Sequence, residues 1–104
     1  MIGERTVTYK LPNIVYLCQN RPNPFNPSTS IECTLAEPAH LNLSVYDING
    51  KLVKTIFNGD APAGSVTTSW DGKNKRGEKV PSGIYFCRLS SAKQTKTIKM
   101  VLLK

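Results

Sequence analysis

One histidine, no cysteines at Cys-x-x-Cys spacing, no apolar run longer than Ile14-Val15-Tyr16-Leu17-Cys18 and no acidic residue after Glu78: this 104-residue chain has little of what several functions require. Serine and cysteine nucleophiles need a positioned base. His40 lies in Glu37-Pro38-Ala39-His40, which reads as a solvent-exposed turn, and no second histidine is there to serve. Cys18, Cys33 and Cys87 lack the spacing of a structural zinc site. Asp71-Gly72-Lys73-Asn74 lacks the alternating ligands and closing Glu of a calcium loop, and lysines surround it. Asp47, Asp60 and Asp71 fall at turns, where Asp commonly supports local backbone bonds. The longest apolar run is far too short to span a bilayer. Neither an enzyme nor a metal or other cofactor is expected, and no membrane insertion. No internal repeat or low-complexity tract occurs.

What is present is a set of short alternating segments. Hydrophobic residues make up 39% of the chain, enough for one domain with one core. Thr6–Tyr9 alternates, and Ile14–Cys18 is a short apolar strand. Ile31, Cys33 and Leu35 share one face, as do Leu41, Leu43 and Val45, and later Val66, Thr68 and Trp70. Asn49-Gly50 predicts a two-residue type I′ hairpin. Lys51–Phe57 returns as its partner strand, with a bulge predicted because Val53 and Ile56 are three apart. Asn58–Gly64 reads as a loop, and Asp71–Ser82, rich in Gly, Lys and Pro, as a long solvated connection. Gly83–Ser90 and Thr95–Leu103 close the pattern. No segment reads as a convincing helix. Strands at this spacing predict an all-β, immunoglobulin-like antiparallel β-sandwich of about seven or eight strands. Residues 14–104 form that domain, and residues 1–13 read as a linker or extension from an upstream part, with an extra strand as an option.

Within this pattern Gln19-Asn20-Arg21-Pro22-Asn23-Pro24-Phe25-Asn26-Pro27-Ser28-Thr29 stands out. Its prolines fix φ and remove donors, and they press Arg21, Asn23 and Asn26 toward extended geometry. The segment should be an ordered loop anchored by a buried Phe25, with Pro22-Asn23-Pro24 exposed. Together with Leu43–Gly50, Trp70-Asp71-Gly72-Lys73-Asn74, Gly77, Pro81–Phe86 and Lys99–Lys104, it resembles the C-terminal sorting domain (type A) of cargo proteins of the type IX secretion system. The likeness runs from Leu17 to Lys104, and the family commonly has an aromatic at the positions of Arg21, Cys33 and Cys87. Around Trp70-Asp71-Gly72 and Gly83-Ile84-Tyr85 the chain is also similar to the immunoglobulin-like domain of flagellar hook-capping proteins.

The resemblance implies a non-catalytic address, folded in the periplasm, that directs a cargo fused at its N-terminus to the cell surface or medium. Its implied partners are the secretion translocon and a sortase-like surface peptidase. The implied recognition residues are Pro22, Asn23, Pro24, Gly83, Tyr85, Lys99 and Lys104, and a free pairing edge on the last strand is expected to let a translocon grip it by strand addition. No apolar stretch of signal-peptide length follows Met1, so an export leader is expected upstream, on a longer protein. The alternative is an immunoglobulin-like binding or spacer module, for protein or for carbohydrate if Tyr46, Phe86 or Trp70 were exposed.

The cysteines leave two readings open. Cys33 and Cys87 fall on strands that a disulfide joins in immunoglobulin domains, and Tyr85 stands two residues before Cys87, as in the tyrosine corner of that fold. Both cysteines can equally be buried thiols acting as small hydrophobes. The charge balance is firmly basic: 14 Lys and Arg against 7 Asp and Glu. Lys73, Lys75, Arg76 and Lys79 crowd one loop, and Lys93, Lys96, Lys99 and Lys104 mark the final hairpin. Such a rim keeps an edge strand from pairing and suits an acidic protein surface. Nucleic acid is not expected, because the aromatic-basic interleaving of single-strand binders is lacking.

Overall fold

The computed structural model describes residues 14–17 and 19–103, and among these there are seven strands and no helix. Thr6–Tyr9, Cys18, Lys104 and the proposed extension 1–13 lie outside the described residues. β1 (Ile14–Leu17), β2 (Thr29–Leu35) and β5 (Gly64–Trp70) form one antiparallel sheet in the order β1-β2-β5. β3 (Ala39–Tyr46), β4 (Leu52–Ala61), β6 (Gly83–Ser90) and β7 (Thr95–Leu102) form the other, in the order β4-β3-β6-β7. The two stack as the expected immunoglobulin-like sandwich.

Alternation decides which face is buried. Ile31, Cys33 and Leu35 of β2 turn inward against Leu41, Leu43 and Val45 of β3 and Tyr85, Cys87 and Leu89 of β6. In β7, Met100 and Leu102 are buried and Ile98 packs against the core, while Lys99 and Leu103 are exposed and Val101 is half-buried. The expected bulge in β4 is present twice. The register skips between Leu43 and Ser44 and again between Val45 and Tyr46, leaving Ile56 and Val53 as extra residues on β4. Those insertions turn Val53, Ile56 and Phe57 toward the core despite their uneven spacing.

Three local expectations are corrected. The Asn49-Gly50 hairpin is not type I′, because Gly50 (φ 80°) has positive φ and Asn49 does not. Gly50 N–H donates to the Asp47 carbonyl, and Asp47 N–H donates to Lys51 across a three-residue loop. The Asp47 carboxylate accepts from the N–H groups of Asn49 and Lys51, which favours this longer loop. Second, β4 continues through Asn58-Gly59-Asp60-Ala61, and His40 stands on β3 rather than in a turn. His40 is exposed as expected, with Nδ1 3.0 Å from Asp60 and Nε2 3.2 Å from Asn58. These cross-strand polar pairs hold a stretch whose composition suggests a loop.

Third, Asp71–Ser82 is not merely solvated. Asn74 Oδ1 accepts from the N–H groups of Arg76 and Glu78, Lys73 pairs with Lys79, and Val80 is buried. Of the two readings open for Cys33 and Cys87, the buried thiols are the one found: no disulfide joins them. Ile31, Leu41, Leu43 and Leu89 fill the interior here, and the sulfurs pack among them as small hydrophobes.

The tyrosine corner is formed. Tyr85 is 6% exposed and its hydroxyl donates to the Pro81 carbonyl at 2.7 Å. Its phenol is pushed above the usual range, by burial first and by the Asp47 carboxylate second. Tyr85→Phe should leave Pro81 without this donor and lower stability by about 1–3 kcal/mol with the fold retained. An unchanged urea midpoint would show a solvated hydroxyl and refute the corner. Burial first, and the charge of Cys33 second, push the Cys87 thiol from 9.0 to about 12. The folded state therefore favours the neutral thiol. Its contribution is whole below the ordinary thiol range and is lost as pH rises from about 9 toward 12. Cys87→Ala should flatten the fall of the urea midpoint across that window, and an unchanged slope would count against the assignment.

Candidate functional site at the C-terminal edge

Gln19–Ser28 runs from β1 toward β2 and is fixed from within by its polar side chains. Asn20 is 2% exposed, and its Nδ2 donates to the Pro22 carbonyl and to Thr29 Oγ1, both at 3.0 Å. Thr29 Oγ1 donates to the same Pro22 carbonyl at 2.8 Å. Arg21 and Ser30 exchange backbone bonds of 2.9 and 2.8 Å, which fold the segment onto the start of β2. Prolines cannot donate, so buried side-chain amides and hydroxyls supply the bonds that order this loop.

Phe25 then drops into the core at 2% exposure. Its ring lies 5.5 Å from that of Trp70, tilted by 58°, and Trp70 meets Tyr85 edge-on at 5.2 Å. Trp70 Nε1 donates to the Lys73 carbonyl at 2.9 Å, so the one polar atom of the indole is satisfied. Gly72 sits beneath the loop at φ 75°, where an added Cβ would come within 2.9 Å of the Pro27 carbonyl oxygen. No other residue type fits there without moving the loop.

Burying Phe25 brings its backbone to the outer edge of β7. Phe25 N–H donates to the Val101 carbonyl and Leu103 N–H donates to the Phe25 carbonyl, each at 3.0 Å, as a short parallel bridge. Two side chains extend it. Asn23 Oδ1 accepts from Val101 N–H at 2.9 Å, and Gln19 Nε2 donates to the Lys99 carbonyl at 2.7 Å. An edge strand presents a row of unpaired backbone groups. Here Lys99, Val101 and Leu103 are served by a loop that imitates a neighbouring strand, partly with side-chain amides. The expected free edge on the last strand is thus corrected: the latch covers it from Lys99 to Leu103.

Of the residues singled out from sequence for recognition, the described ones lie at this end of the sandwich. Pro22, Asn23 and Pro24 are exposed on the latch. Gly83 pairs with Leu102, Tyr85 with Met100 and Phe86 with Lys99. Gly83 has φ 151° with open space around a notional Cβ, so backbone conformation rather than crowding calls for glycine there. Lys99 points to solvent. Tyr85 is buried and therefore acts from beneath the surface. Sequence reasoning did not single out Gln19, Asn20, Gly72 or Val101 as recognition residues, although all four belong to quoted motifs. Among the described residues no cluster of His, Cys, Asp and Glu could hold a metal ion, and no helix is long and apolar enough to cross a membrane.

The FlgD Ig-like domain family matches residues 25–95, well over half of the chain. The chain belongs to that family. Its Ig-like domain is a non-catalytic domain type, which agrees with the poverty of catalytic groups noted above. Basal-body rod modification protein FlgD of Salmonella typhimurium is 36% identical over 59 residues, covering 56% of this chain and 25% of that protein. The Salmonella typhi protein gives the same figures. The chain thus spans a quarter of these relatives. The crystal structure of FlgD from Pseudomonas aeruginosa (P. aeruginosa) superposes with a TM-score of 0.58 at 28% identity, covering 72% of this chain and 60% of that one. Dimeric latent PorU from Porphyromonas gingivalis superposes with a TM-score of 0.66 at 20% identity, covering 96% of this chain and 10% of that one. PorZ, described as an essential surface component of the type IX secretion system of the same bacterium, gives 0.53 at 19% identity, over 88% and 11%. At these identities the PorU and PorZ likenesses are of fold.

Phe25→Ala should cost about 3–5 kcal/mol, the range for a buried aromatic. Asn23→Ala should cost far less in global stability, yet speed hydrogen exchange at the Val101 amide by about tenfold, as expected for one lost hydrogen bond. Urea unfolding and amide exchange measure the two. Small, equal effects would mean that the loop is loosely attached.

Proposed function

We propose that this FlgD Ig-like domain is a non-catalytic C-terminal sorting address of the type IX secretion system, carrying an N-terminally attached cargo through the periplasm to the cell surface or medium. The observation that supports this most strongly is the latch on the C-terminal strand. The family match accounts for residues 25–95, whereas Gln19–Pro24 and Lys99–Leu103 lie outside it and meet each other in the fold. A structural spacer needs the sandwich but has no need of an exposed Pro-Asn-Pro segment bonded to the last strand. The P. gingivalis proteins of similar fold, one of them named as a surface component of that secretion system, are consistent with this setting.

In this reading the translocon contacts Pro22, Asn23, Pro24 and Lys99 at the surface, together with the terminal Lys104, while Gly83 and Tyr85 shape the strand that presents them. The domain is the substrate of a sortase-like peptidase and catalyses nothing itself. The second reading, an Ig-like binding or spacer module, draws on the family match itself, since the curated relatives are flagellar proteins. Trp70 cannot serve a carbohydrate platform there, because it is 1% exposed.

A reporter fused ahead of residue 14 and expressed in a bacterium with this secretion system decides between the two. Deleting Val101–Lys104 should retain the reporter inside the cell, and Asn23→Ala should lower export while the purified domain stays folded. Export at the full level in both variants would overturn the sorting role and leave the spacer.

A further inference from the structure

The outer face of the four-stranded sheet meets the latch only at the backbone of Lys99 and Val101. In-register pairing sets Leu52, Tyr46, Phe86 and Lys99 in one row across β4, β3, β6 and β7. The next row places Ile84 beside Val101. Leu52 and Ile84 are 43% and 41% exposed, and Ile48, on the adjoining turn, is 68% exposed. The Arg88 guanidinium lies over the Tyr46 ring, 4.5 Å from its centroid. Tyr46, Ile48, Phe86, Arg88 and Thr97 line one shallow groove. β3, β6 and β7 contain no acidic residue, and Asp60, the acid of β4, lies at the far end beside His40. Asp47 borders the groove, but its carboxylate already accepts two backbone N–H groups.

A guanidinium laid flat on an aromatic ring is held in place and still presents its N–H fork at the edge. That fork matches a carboxylate through two parallel hydrogen bonds. Beside it, half-exposed Phe86, Ile84 and Val101 offer apolar area that water covers at a cost. We propose that this face docks an acidic protein segment in which a carboxylate adjoins apolar side chains. The carboxylate meets Arg88, the apolar side chains lie over Phe86, Ile84 and Val101, and Lys99 supplies a second positive charge. Charge complementarity selects this occupant. A second copy of a chain with net charge +7 would be repelled.

A random peptide library displayed on phage and panned on the full chain tests the proposal. Selected peptides should carry Asp or Glu next to Leu, Ile or Phe. A synthetic copy, titrated into isotope-labelled protein, should shift the resonances of Tyr46, Phe86, Arg88 and Thr97. Arg88→Gln should weaken its Kd by at least about tenfold, the loss expected for hydrogen bonds to a charged group, with the urea midpoint held near that of the parent. Failure to select any peptide, selection of peptides without acids, or indifference to Arg88→Gln would overturn the proposal. So would release of the peptide by millimolar inorganic phosphate, or equally strong binding to phosphatidylglycerol vesicles, since either reveals a general anion site.

Discussion

The burial of Phe25 against Trp70 is the contact on which the C-terminal end of this domain depends. Trp70, the last residue of β5, meets Tyr85 of β6 through a ring contact and Lys73 through its indole N–H. Phe25 joins this group from a loop that has no strand pairing of its own beyond single bridges. Once the ring is seated, its backbone N–H and carbonyl have little choice but to face β7. The apolar contact supplies the main attraction, and the hydrogen bonds to Val101 and Leu103 set direction and register. Gly72 permits the approach from below, and Asn20 and Thr29 hold the loop's shape from inside. Polar residues at the surface of the loop are therefore free of structural duty except where Asn23 reaches Val101 and Gln19 reaches Lys99.

Much of the sandwich is legible in the sequence, because a side-chain period of two leaves little freedom once one face must be apolar. Ile31, Cys33 and Leu35, or Leu41, Leu43 and Val45, can face only one way. Phe25 is legible for a related reason: one large apolar residue among prolines and asparagines has nowhere favourable to go but inward. The bulges in β4 show as a break in that period at Val53 and Ile56. What escapes a local reading is decided across the chain. The strand character of Asn58–Asp60 depends on partners on β3, and the turn after β3 is shaped by the Asp47 side chain rather than by the Asn-Gly pair. The candidate site is legible as a set of motifs but not as a place, because the reach of Gln19 to Lys99 spans eighty residues and leaves no periodic signal.

The basic balance also resolves differently in space than in sequence. Lys73, Lys75, Arg76 and Lys79 belong to a small ordered hairpin stapled by Asn74, so their charges are held at one end of the molecule. Lys93 instead pairs with Glu37 across the opposite end. The outer face of the larger sheet holds fewer charges, but Arg88 is oriented there by Tyr46. Position and orientation, more than the total of +7, distinguish these cations from a uniformly solvated rim.

The latch also makes the order of synthesis matter. Asn23 and Val101, which share a hydrogen bond, stand 78 residues apart. Closing so long a loop is slow relative to local hairpin formation, and it cannot begin until Val101 has been made. A chain that stops before Val101 presents Phe25 with no backbone to receive it and ends in an uncovered strand edge, the feature most prone to pairing with other molecules. The sealed edge is therefore itself a record that synthesis has passed Leu103.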